Sequence, residues 1–401
     1  MKKIAIITTD IPSKTGSGYK MRCYYIARAL SKSFAVDIFS LSDNDQNKAT
    51  NLDFVNHIEI CNYHPIEENK LIWFINRLIR LLFFSKPAGA VRTYNNNFID
   101  KIVSAHKNNK YDIVLAEGIW MSQYFNFFPG TKKVIDNHNI ETVLYKRELK
   151  ILLGFKKIVK WIDWLFKLSV FEKIKNQESD LSIVTSNNDK SFLEKMIGQD
   201  RNIKVIENVV DFSSSDKKYI NPISKDYILF AGLLSYFPNE DGILWFGNKI
   251  WPKLKGNFQD LSLVIVGANP TAKIKKIFAN DKNVVITGFV DNIDEYRQNA
   301  LIEIVPLRLG GGTRFKILEA LAFGIPVVST SIGAEGLDIK EGEIFIEDEP
   351  ESFFRAIEQL MNNKGLREEM SFKGLKVIKN KYNFDSISLE TNDIFKELSN
   401  D

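Results

Sequence analysis

Cysteine and histidine are scarce in this chain, with only Cys23 and Cys61 of the former and four of the latter in 401 residues. Two thiols build neither a metal cluster nor the disulfide framework of a small secreted domain, so a reducing, cytoplasmic setting is expected. No Cys/His spacing suggests zinc, and no metal or other cofactor is expected. Long apolar runs are lacking too. Ile4-Ala5-Ile6-Ile7 stops at Thr8-Thr9-Asp10, which suits a first strand rather than a signal peptide. The most apolar stretch, Leu71 to Phe84, falls short of the ~20 residues a bilayer demands and carries Arg77 and Arg80, so no transmembrane helix is expected.

What is present is an ordinary globular composition, 44% hydrophobic and 26% charged. At roughly 100–200 residues per domain the length suggests two domains. The charge is uneven. Residues 1–211 carry 31 Lys and Arg against 23 Asp and Glu, whereas residues 212–401 carry 23 against 27. A basic first half suits a membrane, an anionic lipid-linked substrate or nucleic acid, and charge alone does not choose. No nucleic-acid-binding module is recognisable, so nucleic acid is not an expected partner.

Short β-branched runs alternate with helical patterns at Ile4–Thr8, Val36–Leu41, Ile113–Ala116, Val134–Asp136, Leu181–Val184 and Lys204–Glu207. The series restarts at Tyr227–Ala231, Leu261–Val266, Val284–Thr287, Ile302–Val305, Val327–Thr330 and Glu343–Ile346. Such alternation is the mark of α/β architecture with parallel sheets, here two doubly wound domains. The polar stretch FSSSDKKYINPISKD places the junction at Asn208–Asp211. The expected domains are therefore 1–211 and 212–379, with a helical tail, about 380–401, packing back on the first.

Two stretches of the first half, Leu71–Phe84 and Ile151–Phe171, are aromatic and basic. In the second, Lys156, Lys160, Asp163 and Lys167 fall on one helical face, flanked by Trp161 and Trp164. They read either as helices packed on the sheet or as an interfacial surface resting on anionic lipid.

Ligands of open α/β sheets sit beyond the carboxyl ends of strands. Gly16 and Gly18 follow the first strand and precede a helix, where backbone N–H groups can approach a phosphate. The stronger signal is Pro306-Leu-Arg-Leu-Gly-Gly-Gly-Thr-Arg-Phe-Lys-Ile-Leu-Glu319. Gly310, Gly311 and Gly312 make a tight loop, and a helix is expected from about Thr313 with Arg314 and Lys316 in its first turn. Cations at that end are unfavourable unless an anion is bound, so the loop suits a diphosphate, with Arg308 as a further cation. It lacks the Gly-Lys-Ser/Thr ending of a P-loop. Asp43-Asn44-Asp45 lies in a polar loop and is set aside as a metal site, and Gly16-Ser17-Gly18 lacks the spacing of a nucleophile elbow.

The segment resembles the donor-binding loop of family 4 glycosyltransferases, in the bacterial branch with the motif Gly-x-Gly-Thr-Arg-x-Lys-x-Leu-Glu-Ala. The likeness extends through Phe230–Asn239, Trp245-Phe246, Leu263–Gly267, Thr287–Val290 and Gly333–Leu337, about 120 residues of specific match. It implies the GT-B fold, two Rossmann-like domains facing a central cleft, and a nucleotide-sugar donor. By that resemblance Glu319 bonds the ribose hydroxyls, while Gly288, Phe289 and Val290 hold the base. Thr313 and Glu335 join the donor contacts. His138, after the strand Val134–Asp136, contacts the transferred sugar. Glu117 and Glu141 are candidates for the acceptor.

Two departures from the family stand out. Gly311 occupies the position of the first motif glutamate, and Leu233-Leu234 and Asn239-Glu240-Asp241 lack the usual cations. Arg314, Lys316 and Arg308 are the substitutes for the diphosphate charge. The resemblance implies a retaining, metal-independent transfer to a glycan or lipid-linked acceptor in envelope polysaccharide synthesis. It also implies a cytoplasmic place, peripheral on the membrane. Competing readings are a donor-binding or membrane scaffold that has lost catalysis and a nucleotide-sugar epimerase.

Overall fold

A computed structural model of the protein describes residues 1–42, 52–62, 86–150, 154–211 and 218–400. Asp43-Asn44-Asp45 and the stretch Leu71–Phe84 lie outside the described residues. The chain divides into two compact units, Met1–Glu207 with Ile387–Asp401, and Asn208–Ser386.

The first unit contains β1 (Lys3–Thr8), α1 (Gly18–Leu30), β2 (Ala35–Ser42), β3 (His57–Asn62), α2 (Asn96–Asn109), β4 (Ile113–Glu117) and β5 (Lys132–Asn137). It continues with α3 (Glu141–Leu149), α4 (Gly154–Asp163), a π-turn (Trp164–Leu168), α5 (Ser169–Glu178), β6 (Leu181–Val184), α6 (Asn187–Ile197) and β7 (Ile203–Val205). Its sheet runs in the order β3-β2-β1-β4-β5-β6-β7. Every pairing is parallel. The strands β1 and β4 are almost wholly buried, as apolar runs in a parallel sheet covered on both faces must be.

The second unit contains β8 (Tyr227–Ala231), α7 (Phe237–Lys249), α8 (Trp251–Asn257), β9 (Ser262–Val266), α9 (Ala272–Phe278), β10 (Val284–Gly288) and α10 (Asp294–Gln298). After these come β11 (Ile302–Val305), α11 (Phe315–Ala322), β12 (Val327–Ser329), β13 (Phe345–Ile346), α12 (Pro350–Asn362) and α13 (Lys364–Lys381). Its sheet, also parallel, has the order β10-β9-β8-β11-β12-β13. Ile228, Phe230, Phe246, Ile265, Ile304 and Phe353 anchor its core. The expectation of two doubly wound α/β units holds.

The last helix, α14 (Phe384–Asn400), starts in the second unit and belongs to the first from Ile387 onward. There the Asn392 side-chain amide donates to Ala29 O at 2.7 Å, and Phe395 meets Phe34 edge-on.

In each sheet the order reverses beside the first strand of its series, between β1 and β4 and between β8 and β11. Loops leaving those strands diverge to opposite faces and open a crevice at their carboxyl ends. Gly16 and Gly18 lie on the loop after β1 and Arg308 to Thr313 on the loop after β11, whereas His138 follows β5 and Gly288 ends β10.

Candidate functional site

In the first unit β5 ends at Asn137, and His138 follows directly. Its Nε2 lies 2.7 Å from Glu117 Oε2 and 3.6 Å from Asp136 Oδ2. The Asp136 carboxylate is itself clamped by Arg22 of α1, whose Nε and Nη2 each donate at 2.7 Å with both partners buried. Tyr19, in the first turn of α1, lays its ring over His138 at 4.7 Å between centroids. The Tyr19 hydroxyl accepts from Thr9 N at 2.8 Å and donates to Glu117 O at 3.1 Å. α1, β4 and β5, with Thr9 just beyond β1, thus contribute to fixing one imidazole.

Glu117, a candidate for acceptor contact, has a fully buried side chain spent on His138, so it serves as the partner of the imidazole. Burial and the charge of Asp136 push its carboxyl above the usual range, against the pull of His138 and Arg22. The same burial, with Glu117 and Asp136 nearby, keeps the Cys23 thiol protonated. Cys23, Glu117 and His138 present ligand atoms within 4.8 Å of one another, a grouping that no sequence spacing reveals.

Glu141 opens α3, and its N–H and that of Thr142 donate to the buried Glu172 at 2.7 and 2.8 Å. Glu172 therefore caps α3 from α5. Burial and the Glu172 charge raise the Glu141 carboxyl to about 8, so it is largely protonated at neutral pH. Gly16, at φ +113°, and Gly18 bracket Ser17, whose hydroxyl accepts from Lys20 N to cap α1.

The second-unit site is built on the loop from β11 to α11. The helix begins at Phe315, two residues later than the sequence suggests, so Arg314 is the N-cap residue. Its guanidinium folds back and donates to the carbonyls of Gly311 and Gly312. Gly310 has φ +120°, and a Cβ there would lie 2.5 Å from Arg314 Nη2. Thr313 accepts a hydrogen bond from the Asn208 side chain through its hydroxyl.

Lys316 is half-buried. Its ammonium donates to Asn239 Oδ1 at 3.0 Å and sits 4.8 Å from the centre of the Phe230 ring. Burial, with Arg314 and Arg297 nearby, lowers it to about 8, while Glu303 and Glu319 oppose the shift. Gly232, after β8, makes room for it, since a Cβ there would stand 2.9 Å from Lys316 Nζ.

Arg308 is not a free cation. Its Nε and Nη2 donate to Asp241 at 3.0 and 2.6 Å, so the charge expected for a diphosphate is neutralised by a carboxylate of α7. Glu319, about one quarter exposed, is held by Arg297 Nη2 at 3.3 Å. Gly288 ends β10 at φ +72°, Phe289 beyond it is 75% exposed, and Val290 and Glu335 are partly exposed.

Sequence reasoning missed Asn239, Arg297 and Glu303 as parts of this site. Asn239 offers only a lone amide in Pro-Asn-Glu-Asp, and the other two are joined by pairing across the fold. The face of Lys156, Lys160, Asp163 and Lys167 also needs correction. Asp163 is buried and accepts from Ala88 N, and Lys160 pairs with Glu148, whereas Trp161, Leu165 and Phe166 are exposed. The Lys156 side chain lies outside the description.

Residues 225–363 match the family described as Glycosyl transferases group 1. The whole chain is 22% identical over 420 residues to an "Uncharacterized 44.6 kDa protein in cps region" of Klebsiella pneumoniae, covering 99% of this chain and 100% of that one. Anabaena Alr3699/HepE, solved in complex with UDP and glucose, matches with a TM-score of 0.72 at 13% identity over 99% of this chain and 100% of that chain. WaaG, a glycosyltransferase involved in lipopolysaccharide biosynthesis, matches with a TM-score of 0.67 at 12% identity over 98% of this chain and 99% of that chain. At such identities the two structures establish likeness of fold. Residues 225–363, with the glycine loop, Lys316 and Glu319, thus match the glycosyl transferases group 1 model, on a chain whose two parallel sheets have the GT-B fold.

Proposed function

We propose that the protein transfers a sugar from a nucleoside-diphosphate donor to a glycan or lipid-linked acceptor in envelope polysaccharide synthesis, with retention and without a metal. The observation that carries this reading is Lys316, a half-buried lysine beside a glycine loop whose ammonium donates to the neutral side-chain amide of Asn239. Glu303 and Glu319 favour its charge, but loss of hydration with Arg314 and Arg297 nearby outweighs them, so an anion bound at this loop would stabilise it. On donor binding the diphosphate replaces the Gly311 and Gly312 carbonyls as the partner of Arg314. When the sugar–phosphate bond breaks, the charge left on the diphosphate is stabilised by fixed cations and the start of α11.

The fixed imidazole of His138 meets the transferred sugar, and Tyr19 and Glu117 hold its plane. The acceptor hydroxyl attacks the anomeric carbon on the face that the diphosphate leaves, its C–O bond forming as the sugar–phosphate bond breaks, and its proton passes to the departing diphosphate oxygen. Glu319 receives the ribose hydroxyls, and Phe289 offers a ring face to the base. The lipopolysaccharide role of WaaG and the setting of the Klebsiella relative support the polysaccharide context. Contact with anionic membrane is part of the proposal and rests on the exposed face of α4 and α5.

A thermal-shift panel of UDP, GDP, CDP and ADP with and without EDTA tests the reading. At ~100 times the dissociation constant a bound nucleotide adds about 2.7 kcal/mol to the stability of the unit that holds it. One base-selective shift that survives EDTA is expected. No shift with any nucleotide, or one abolished by EDTA, refutes the metal-free donor site.

A further inference from the structure

Beneath the donor loop lies a charge network to which the transfer chemistry gives no task. Arg297 of α10 is 1% exposed, and its Nε donates to Glu303 Oε2 at 2.9 Å. Its Nη2 reaches Glu319 Oε2 at 3.3 Å, and its Nη1 lies 3.7 Å from Asp294 Oδ1. Glu303, in the middle of β11, has a fully buried side chain. Arg297 Nη1 and Glu303 Oε1 are both buried without a hydrogen-bond partner.

A buried ion pair with unsatisfied atoms seldom repays its own desolvation, and apolar residues would join α10 to β11 more stably. Its effect must therefore be sought in what it holds. Of Arg297, Glu303 and Glu319, only Glu319 reaches solvent appreciably, with 26% of its side chain exposed. Arg297 engages one oxygen of that carboxylate and restrains its rotation. Glu303 in turn keeps Arg297 in place from the sheet.

We propose that Glu303 and Arg297 are positioning residues that orient Glu319 for a pair of adjacent hydroxyls, making the site selective for ribonucleoside over deoxyribonucleoside diphosphates. This rests on the reading of Glu319 as the ribose contact. A carboxylate free to rotate would bind either sugar with little preference. A fixed one loses a charge-assisted hydrogen bond when a hydroxyl is missing, a penalty of about tenfold or more. The charge of Glu303 has a second effect. Lys316 faces Glu303 from β11, Arg297 from α10, Asn239 from α7, and Arg314 and Glu319 from its own helix and cap. Without Glu303, two guanidinium groups oppose a single carboxylate around the ammonium.

Calorimetry with whichever of UDP, GDP, CDP or ADP binds, and with its 2′-deoxy and 3′-deoxy forms, tests the inference. The wild type is expected to prefer the ribonucleotide by about tenfold or more. Glu319→Ala, Glu303→Gln and Arg297→Met should each bring that ratio to within about threefold, while Glu303→Asp and Arg297→Lys, which keep the charge and guard against misfolding, restore part of it. Because Glu303 helps Lys316 keep its proton, affinity for the nucleotide should fall with rising pH once Lys316 loses that proton, and Glu303→Gln should bring this fall to lower pH. A structural role would weaken all forms equally and leave the ratio intact, and that outcome overturns the proposal. Loss of selectivity in Glu319→Ala alone leaves the donor reading standing and rejects Arg297 and Glu303. An unselective wild type rejects the ribose reading with it, and no binding by any nucleotide overturns both.

Discussion

An ammonium drawn partly out of water beside two guanidinium groups holds its proton less tightly than one in water, even with two carboxylates opposing the shift. Lys316 is such a group, lowered to about 8 from an ordinary 10.5. Because a diphosphate favours the charged form, nucleotide affinity should be flat below about pH 8. Above it, binding must take up a proton, and affinity should fall as pH rises by up to about tenfold per unit. Calorimetry from pH 7 to 9, conditions chosen on roughly that limit, should show the decline in the wild type and none in Lys316→Met, whose affinity is lower throughout. The same decline in the Met variant would assign it elsewhere. Arg314 and Lys316 were legible as residue types at a helix start, but their partners were not. Arg308 looked equally cationic in sequence, and only the fold brings Asp241 against it, 67 positions away.

At the scale of elements, α4, the π-turn and α5 carry the largest concentration of exposed apolar side chains among the described residues. Ile158, Trp161, Leu165, Val170 and Ile174 are 55, 46, 37, 50 and 43% exposed, and Phe166 beside them is 64% exposed. Their spacings are 3, 4, 5 and 4, and the step of five falls on the π-turn. A continuous α-helix would rotate the later residues off the face, whereas one extra residue in the turn keeps the stripe in line. Lys157 and Lys173 are exposed beside its two ends. The membrane proposal predicts that the protein floats with anionic vesicles at low salt and that Trp161→Ser with Phe166→Ser lowers the bound fraction at least about tenfold, from ~1.5–3 kcal/mol lost per ring. Flotation unchanged in the double variant would assign binding to another surface. The sequence showed an amphipathic pattern here but grouped Asp163 with three lysines on one polar face, because a 3.6-residue period cannot register a π-turn. Strands were easier. Tyr227–Ala231 and Ile302–Val305 match their sequence runs end to end, being short, apolar and buried on both faces. β3 was not singled out, since its edge position leaves it only partly buried and its pattern weak.

At the scale of the whole molecule, the two series of strands made the architecture legible, while the division of the chain depends on distant contacts. The contact division falls at Glu207, four residues before the boundary read from composition, and returns Ile387–Asp401 to the first unit. Phe395 is fully buried in that returning segment, and Leu398 nearly so. Phe395→Ala should therefore destabilise the first unit by about 3–5 kcal/mol. In a calorimetric scan with a nucleotide present, its transition should move down while that of the second unit keeps its nucleotide shift. A common fall in both transitions would show that the units unfold as one.

The path that lends α14 to the first unit also sets an order of completion at the ribosome. The second unit is one unbroken stretch, Asn208–Ser386, and can close as soon as it has emerged. The first unit begins earlier but lacks the helix that covers the end of α1 until residues 387–400 are made. At ~5–20 residues per second this leaves the rim around Ala29 and Phe34 uncovered for roughly 10–40 s after Glu207 is added. The half of the protein that is synthesised first is the half that is finished last.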